Sequence, residues 1–292
     1  MATWKNYYLA VSPADALDAL ANAPGDARLV GGGTDLLLDL QQGRHPPVDT
    51  LVDVSGIAEM NDIEMRREGI FVGAAVPLNK LVKSSLITEH AQALHEAASL
   101  IGGPQVRNTA TLGGNVAHAL PAADGTISLL ALDAQAQIAS RSGYHRVPVE
   151  SLFLGPGRSA LDPGKELLVG FYLPISSKNC GSSFRRVMRP QGVAIAILNM
   201  GVWIKRAGAH IADIRLAVGP GGPKPLRARS AEDALRGKEF TPDYLALGLT
   251  ALQAEVRFRT SPHRATKDYR HQMAKVLFED TLGAAWSRAA GE

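Results

Sequence analysis

The sequence predicts an α+β fold, and three features of the chain support this prediction. Glycine-rich turns at residues 30–36 (VGGGTDL) and 111–115 (TLGGN) lie among short helical and extended patterns. A polar stretch of small residues at 176–183 is typical of a linker, and after it strands come first and helices follow. Strands followed by helices, without a repeated strand–helix–strand unit, indicate an α+β arrangement.

The N-terminal part is predicted to begin with a helix, a strand and a second helix. Ser12 is a suitable N-cap, with Pro13 at the first helical position and Asp15 in the first turn. Each glycine turn is predicted to follow a strand and open a helix. The predicted helices cover residues 12–22, 35–42, 86–102 and 127–132, and the predicted strands cover residues 27–30, 50–54, 69–74, 137–139, 146–149 and 166–173.

The C-terminal part has a different pattern. Three extended segments predict an antiparallel meander with a hairpin turn at 206–209, and three helical segments follow. The predicted strands cover residues 183–188, 194–205 and 210–218, and the predicted helices cover residues 230–236, 242–256 and 269–288.

The composition is that of an ordinary globular protein. Of the 292 residues, 46% are apolar and 20% are charged, and the net charge is +3. Because the arginines are spread along the chain, no nucleic-acid binding is expected. The N-terminus lacks the apolar core of a signal peptide and no run of about 18 apolar residues occurs, so we expect a cytoplasmic protein without a membrane span. Cys180 is the single cysteine, so any iron–sulfur cluster would have to lie on another chain.

The two glycine turns together predict a pyrophosphate site. Glycine permits positive φ and close backbone approach, so that consecutive N–H groups can point at phosphate oxygens near a helix N-terminus. Gly31, Gly32 and Gly33 would form one wall of the site, and Gly113 and Gly114 the other. Neither turn has the G-x-G-x-x-G or the G-x-x-x-x-G-K-[ST] pattern, which disfavours a Rossmann or P-loop site.

Two carboxylates near the turns have alternative roles. Asp124 suits either a ribose hydroxyl or a helix N-cap, and both roles can coexist, whereas for Asp35 the N-cap is favoured. The sequence shows no Ser/His/Asp or paired-carboxylate constellation, so we predict no catalytic residue and no metal site in this chain.

Three motifs carry a resemblance to a known family. Residues 30–36 are similar to the family's A-G-G-T-D-L turn, residues 105–115 (QVRNTATLGGN) to its Q-I-R-N-x-(A/G)-T-(I/L)-G-G-N, and residues 121–124 to its P-A-A-D. By these motifs, nearly the whole chain resembles the FAD-binding medium subunits of the molybdenum hydroxylases, the group of xanthine dehydrogenase and carbon monoxide dehydrogenase.

The resemblance implies a particular domain arrangement. Residues 1–176 would form an FAD-binding domain of the PCMH or vanillyl-alcohol-oxidase-like type, with subdomains of about 1–55 and 56–176. Residues 182–292 would form a smaller C-terminal domain, in which an antiparallel sheet packs on helices.

The resemblance also implies which residues contact the cofactor. The two turns would line the pyrophosphate, Asp124 the ribose side, Ile101 and Gly102 the flavin ring, and Leu168 the adenine side. The complete implied set is Leu29, Val30, Gly31, Gly32, Gly33, Thr34, Asp35, Leu36, Ile101, Gly102, Val106, Ala110, Thr111, Gly113, Gly114, Asn115, Ala117, His118, Ala123, Asp124, Leu168 and Arg185. The motifs offer no clear residue for a covalent link, so noncovalent FAD is expected.

Several positions depart from the family pattern. His118 and Leu120 replace small or hydroxylated residues, and for His118 packing beside the loop is favoured over donation to the flavin. The usual Phe-Lys becomes Phe184-Arg185, and an aspartate that often follows is Gly192. The charge near the flavin or a bound nicotinamide is therefore expected to differ, because arginine and lysine are not equivalent.

The resemblance implies an electron-transfer subunit of an oxidoreductase. Molybdopterin on a large chain and two-iron two-sulfur clusters on a small chain would send electrons to FAD here and on to NAD⁺ or another acceptor, within a dimer of heterotrimers. A self-sufficient flavin oxidase or reductase is the alternative, and a nucleotide-sensing module is a third.

Overall fold

The structure is a computed structural model that describes residues 3–189 and 195–291. Its strands are Asn6–Leu9 (β1), Ala27–Val30 (β2), Thr50–Asp53 (β3), Ile63–Arg66 (β4), Gly69–Gly73 (β5), Gln135–Ser140 (β6), Gly143–Pro148 (β7), Phe153–Gly155 (β8), Arg158–Ser159 (β9), Leu167–Leu173 (β10), Cys180–Met188 (β11), Ala196–Ala207 (β12), His210–Gly219 (β13) and Leu226–Arg227 (β14). The features expected at Gly192 and Ala194 lie outside the described residues.

In the described part of the chain, two helices alternate with β1, β2 and β3, six helices follow β5, and three helices follow β14. They are Pro13–Asn22 (α1), Leu36–Gln41 (α2), Leu78–Val82 (α3), Ser85–His90 (α4), Gln92–Leu100 (α5), Pro104–Thr109 (α6), Leu112–Ala117 (α7), Asp124–Ala131 (α8), Arg229–Leu235 (α9), Pro242–Glu255 (α10) and Lys267–Ala290 (α11). None of those in the described ranges combines the length and the apolar character that crossing a membrane requires.

The first sheet is parallel, with the strand order β1–β3–β2. Helix α1 begins as predicted, because the Ser12 hydroxyl accepts a hydrogen bond from the Asp15 amide at 3.1 Å and Pro13 occupies the first turn. The predicted helix–strand–helix beginning is wrong, since β1 precedes α1. All four residues of β1 are exposed, so this edge strand carries no alternation of buried and exposed positions by which it can be recognised.

The second sheet is antiparallel, with the order β4–β5–β10–β6–β7. Its central strand β10 is buried along its whole length, and Phe171 from β10 and Phe71 from β5 lie in the main hydrophobic core. Helix α7 packs against β10 and α8, and α5 contacts both α3 and α8. This sheet therefore forms the base on which the second glycine turn is seated.

The helical segment before the second glycine turn differs from the prediction. The expected single helix 86–102 is two helices, α4 and α5, because Ala91 leaves the helical conformation with φ −139° and ψ 50°. A further helix, α6, then leads to the turn, so the turn joins two helices and does not follow a strand. Helix α6 has no buried residue, and it therefore has no apolar periodicity that predicts it.

The third sheet is the predicted meander, antiparallel with the order β11–β12–β13–β14, and α9 and α11 contact its strands. Strand β11 begins at Cys180, inside the segment expected to be a linker. The Ser182 hydroxyl accepts a hydrogen bond from the Ala93 amide of α5 at 3.1 Å. The C-terminal part is therefore bonded directly to the N-terminal part.

Helix α8 lies between the second and third sheets, and all of its residues are buried. A Cβ atom at Gly201 of β12 would lie 3.1 Å from both Ala131 Cβ and the Ile127 carbonyl oxygen of α8. Glycine at this position therefore lets the helix approach the strand closely, and the main and C-terminal cores meet across α8.

Glu96 of α5 forms a charged contact across the same interface. Its carboxylate accepts hydrogen bonds from Arg288 of α11 at 2.6 Å, from the Phe184 amide at 2.7 Å and from Arg185 at 2.8 Å. Burial alone raises the pKa of Glu96, but the three hydrogen bonds outweigh it, so the pKa lies below its ordinary value of 4.5.

We expect Glu96→Gln to destabilise the protein at neutral pH. The lowered pKa means that ionised Glu96 contributes stability above pH 4.5, and that this contribution is lost as the pH falls through the folded-state pKa. The variant should therefore lose about 2 kcal/mol in urea unfolding at pH 7, where charged hydrogen bonds are broken, and less at pH 4. Glu89→Gln, with a side chain 72% exposed, is the control. An equal loss at both pH values would contradict this account.

Candidate cofactor site at the two glycine turns

The first glycine turn connects β2 to α2 and leaves a run of backbone amides unpaired. Among the described residues, none accepts a hydrogen bond from the N–H groups of residues 31–35. Gly33 has a φ of +67°, which favours glycine, and Asp35 occupies the N-cap position of α2 without a side-chain capping bond. The N-cap position expected for Asp35 is therefore found, but its carboxylate does not cap the helix, and the turn presents free donors suited to an anion.

The second glycine turn uses its amides for its own structure. The Leu112 amide donates to the Val76 carbonyl at 3.2 Å, the Gly113 amide to the Ala74 carbonyl at 2.8 Å, and the Gly114 amide to the Thr111 hydroxyl at 3.0 Å. The expectation that both turns supply free amides is therefore corrected. The bonds to Val76 and Ala74 fix the second turn beside the end of β5.

The first turn lies against the backbone just before the second turn and against the Thr111 side chain at its start. A Cβ atom at Gly32 would overlap the Thr109 carbonyl oxygen and would lie 2.9 Å from Ala110 Cα. A Cβ atom at Gly31 would lie 3.2 Å from the Thr111 hydroxyl oxygen. Because no side chain fits between the turns at Gly32, the free amides of the first turn lie directly beside the second turn.

Asp124, at the start of α8, is held by two residues of the third sheet. Its carboxylate accepts a hydrogen bond from Asn199 at 2.6 Å and forms an ion pair with Arg186, whose side chain is only 3% exposed. Burial raises the pKa of Asp124, and the charge of Arg186 opposes this effect. The N-cap of α8 is Ala123, so Asp124 serves as an anchor between sheets and does not cap the helix.

Polar atoms around Asp124 remain without a partner. Asn115 Oδ1, Asn199 Oδ1 and Arg186 Nε are buried and have no hydrogen-bond partner among the described residues. Asn115 lies beside the first turn of α8, because a Cβ at Gly125 would be 2.7 Å from its Oδ1. Buried polar atoms are normally paired, so the two amide oxygens suit hydroxyl groups of a ligand, and the Arg186 Nε–H suits an acceptor.

The loop after α5 is fixed by two arginines. The carbonyl oxygens of Ile101 and Gly102 accept hydrogen bonds from Arg107 at 3.2 and 2.8 Å, and the Leu100 carbonyl accepts one from Arg186. Gly102 has a φ of +55°. The loop expected beside the flavin ring therefore has a defined shape, and Arg186 connects it to Asp124.

The remaining residues that the resemblance implies differ in their burial and in their position in the fold. Half-buried positions are Leu29, Gly31, Thr34, Leu36, Ile101, His118 and Ala123, buried positions are Val30 and Ala110, and exposed positions are Val106 and Ala117. Leu168 is buried in β10 opposite Ile138. Arg185 binds Glu96, so the structure places it in the interface between the sheets.

Three residues that shape the site lie outside the set that the resemblance implies, namely Arg107, Arg186 and Asn199. Arg186 follows Arg185 directly, and successive residues of a strand point to opposite faces, so only one of the two can reach Asp124. Which of them does so depends on the pairing of β11 with β12, which the sequence does not show.

The site has the donors and acceptors that FAD needs. Free amides suit a pyrophosphate and unpartnered amide oxygens suit ribityl or ribose hydroxyls. In the part of the chain that the structure describes, no group of three or more His, Cys, Asp or Glu side chains is placed to hold a metal ion.

Comparisons with known proteins agree with this geometry. Residues 3–176 match the family described as FAD binding domain in molybdopterin dehydrogenase, and residues 182–285 match the CO dehydrogenase flavoprotein C-terminal domain. The chain is 30% identical to the xanthine dehydrogenase FAD-binding subunit of Escherichia coli O157:H7, with 100% of this chain and 99% of the relative covered. It is 29% identical to the carbon monoxide dehydrogenase medium chain of Hydrogenophaga pseudoflava, with 97% and 98% covered.

Solved structures show the same fold. A structure of the Hydrogenophaga pseudoflava carbon monoxide dehydrogenase superposes with a TM-score of 0.91 at 29% identity, covering 97% of this chain and 98% of that one. Quinoline 2-oxidoreductase from Pseudomonas putida 86 gives a TM-score of 0.89 at 25% identity, with 98% of each chain covered. The α+β fold predicted from the sequence is confirmed. The chain belongs to the FAD-binding medium subunits of the xanthine dehydrogenase and carbon monoxide dehydrogenase family, and it is a flavoprotein component of an oxidoreductase.

Proposed function

We propose that FAD binds noncovalently in the groove between the two glycine turns. The observation that carries this proposal is the run of free N–H groups at residues 31–35, which lies against a wall where Gly32 leaves no room for a side chain. Backbone amides without internal partners are suited to bind a pyrophosphate. In this proposal, Asn115 accepts hydrogen bonds from cofactor hydroxyls, and the loop at Ile101 and Gly102 contacts the flavin ring.

The remaining implied contacts are retained in this proposal as outer parts of the site. Leu168 would line the adenine side, and Asp124 would act near the ribose through the oxygen lone pairs that Asn199 and Arg186 leave free. The protein contributes binding, orientation and electrostatics, and no acid or base of this chain is needed.

When bound, FAD supplies redox chemistry that can connect iron–sulfur clusters on a small partner chain, and molybdopterin on a large one, with NAD⁺ or another acceptor. The surface beside Ile101, Gly102 and Arg107 is the proposed docking region for the small chain, because it adjoins the proposed ring position. Cys180 is the single cysteine and cannot hold a cluster by itself. We propose a dimer of heterotrimers as the complete assembly.

We expect Gly32→Ala to weaken FAD binding by at least tenfold, or about 1.4 kcal/mol, because the new Cβ would overlap the Thr109 carbonyl and push the two turns apart. Flavin fluorescence quenching during titration of the FAD-free chain measures the dissociation constant. Gly222→Ala is the matched control, since nothing lies within 4 Å of a Cβ at that position. Equal affinities in the two variants would reject the proposed groove.

We expect Asn115→Ala to lower the affinity for FAD without lowering the stability of the FAD-free protein. Its Oδ1 has no partner in the chain, so its removal should leave the Tm of the FAD-free protein unchanged or higher. FAD affinity should fall about tenfold, because a hydrogen bond to the cofactor is lost. Asn22→Ala, at an exposed position of α1, is the control. A lower Tm in the FAD-free variant, with unchanged FAD affinity, would show that Asn115 acts only in folding.

The isolated chain should bind FAD, but purine or aldehyde substrates should not reduce that FAD. Acid or heat denaturation should release free FAD, and the isolated chain should accept electrons from artificial donors without oxidising purines or aldehydes. Absorbance of the supernatant and substrate-dependent bleaching of the flavin measure these properties. Flavin retained on the polypeptide would reject noncovalent binding, and substrate oxidation by this chain alone would favour the self-sufficient oxidase.

A further inference from the structure

A group of arginines lies where the loop 257–266 meets the start of α11. The loop folds back on itself, because the Ser261 amide donates to the Ala265 carbonyl at 2.9 Å and the Lys267 amide donates to the Thr260 hydroxyl at 3.1 Å. These bonds bring the loop that carries Arg259 and Arg264 against the first turn of α11, which carries Arg270. We call Arg259, Arg264 and Arg270 the arginine cluster.

Arg270 is buried without a counter-charge. It is only 2% exposed, and its Nε has no hydrogen-bond partner among the described residues. Burial and the charges of Arg264 and Arg259 lower the pKa of Arg270, and burial and Arg259 lower the pKa of Arg264. No carboxylate of the described residues acts on either guanidinium to offset this repulsion. Asp268 is the only acidic residue between 257 and 271, and it is exposed.

A group of arginines without a counter-charge destabilises the folded protein unless an anion binds to it. An uncompensated buried charge destabilises a folded protein by several kcal/mol, whereas a charge that is paired and hydrogen-bonded does not carry that penalty. Arg189 adds a further positive charge nearby, since its Nη2 donates to the Arg264 carbonyl at 3.2 Å. The position at the N-terminus of the 24-residue helix α11 adds the positive end of the helix dipole.

We propose that the arginine cluster is a binding site for a phosphate group. Planar guanidinium groups bind phosphate oxygens with paired hydrogen bonds, and a phosphate monoester carries a charge of about −1.5 to −2 with three acceptor oxygens. Three cations therefore match a phosphate better than a singly charged carboxylate or chloride. The Thr260 and Thr266 hydroxyls accept from the amides of Lys267 and Tyr269, and the proposed phosphate contacts are those of the arginine side chains. None of the residues of the proposed FAD groove takes part.

Thermal unfolding of the full FAD-loaded chain tests this site. Inorganic phosphate, at a concentration about a hundredfold above its dissociation constant, should raise the Tm by about 5 °C over chloride or acetate of equal ionic strength. In Arg270→Met, phosphate should no longer raise the Tm above its value in chloride or acetate. Only the small general stabilisation that phosphate gives any folded protein should remain. In phosphate-free buffer the variant should be at least as stable as the natural chain, because an unpaired buried charge has been removed.

Two further binding measurements complete the test. Arg264→Gln, at a half-buried position, should raise the dissociation constant for inorganic phosphate at least tenfold in calorimetric titration, whereas Arg236→Gln, whose side chain is paired with Asp213 and Asp233, should not. The affinity of the arginine cluster for adenosine monophosphate is then compared with its affinity for inorganic phosphate. Tighter binding of adenosine monophosphate would indicate that the cluster binds the phosphate of a nucleotide, and equal affinities would indicate that it binds the free ion. The same Tm rise in Arg270→Met as in the natural chain, or an equal rise with acetate, would overturn the proposal.

Discussion

The approach of the Gly32 backbone to Thr109 and Ala110 is the contact on which the candidate site depends. It presses the turn of the first sheet against the helices of the second sheet with no side chain between them. The amides of residues 31–35 are consequently left at a junction where the chain offers them no acceptor. These unpaired donors are the groups that the proposed site offers to the pyrophosphate of FAD.

The shape of this junction also depends on the third sheet, which contains neither glycine motif. Arg186 of β11 reaches Asp124 at the start of α8 and the Leu100 carbonyl at the end of α5. Asn199 of β12 donates to Asp124 and to the Ala122 carbonyl. The C-terminal sheet therefore joins the start of α8 to the end of α5, and these contacts support the region around the proposed site.

The sequence predicted the elements whose signals are local, and it missed those that depend on distant partners. The N-cap of α1 and the meander of the third sheet follow from capping residues, alternation and a hairpin turn. Strand β1 and helix α6 were missed because they bury no residue. The two glycine turns look equivalent in sequence, yet the second gives its amides to Ala74 and Val76, which lie far away in the chain. The same limit explains why the ion pair between Arg186 and Asp124 was not predicted.

The small apolar cluster beneath the first glycine turn has a consequence for the order of assembly. Val30, Leu40, Val48 and Leu51 form a cluster separate from the main core, and α2 packs on it. The free energy needed to detach this unit is smaller than that of global unfolding, because few apolar side chains are involved. Opening of α2 and its turn would give a bulky dinucleotide an entrance while the rest of the chain stays folded. If FAD binds as proposed, its uptake by this route would follow folding of the main core and would depend on local opening of this unit.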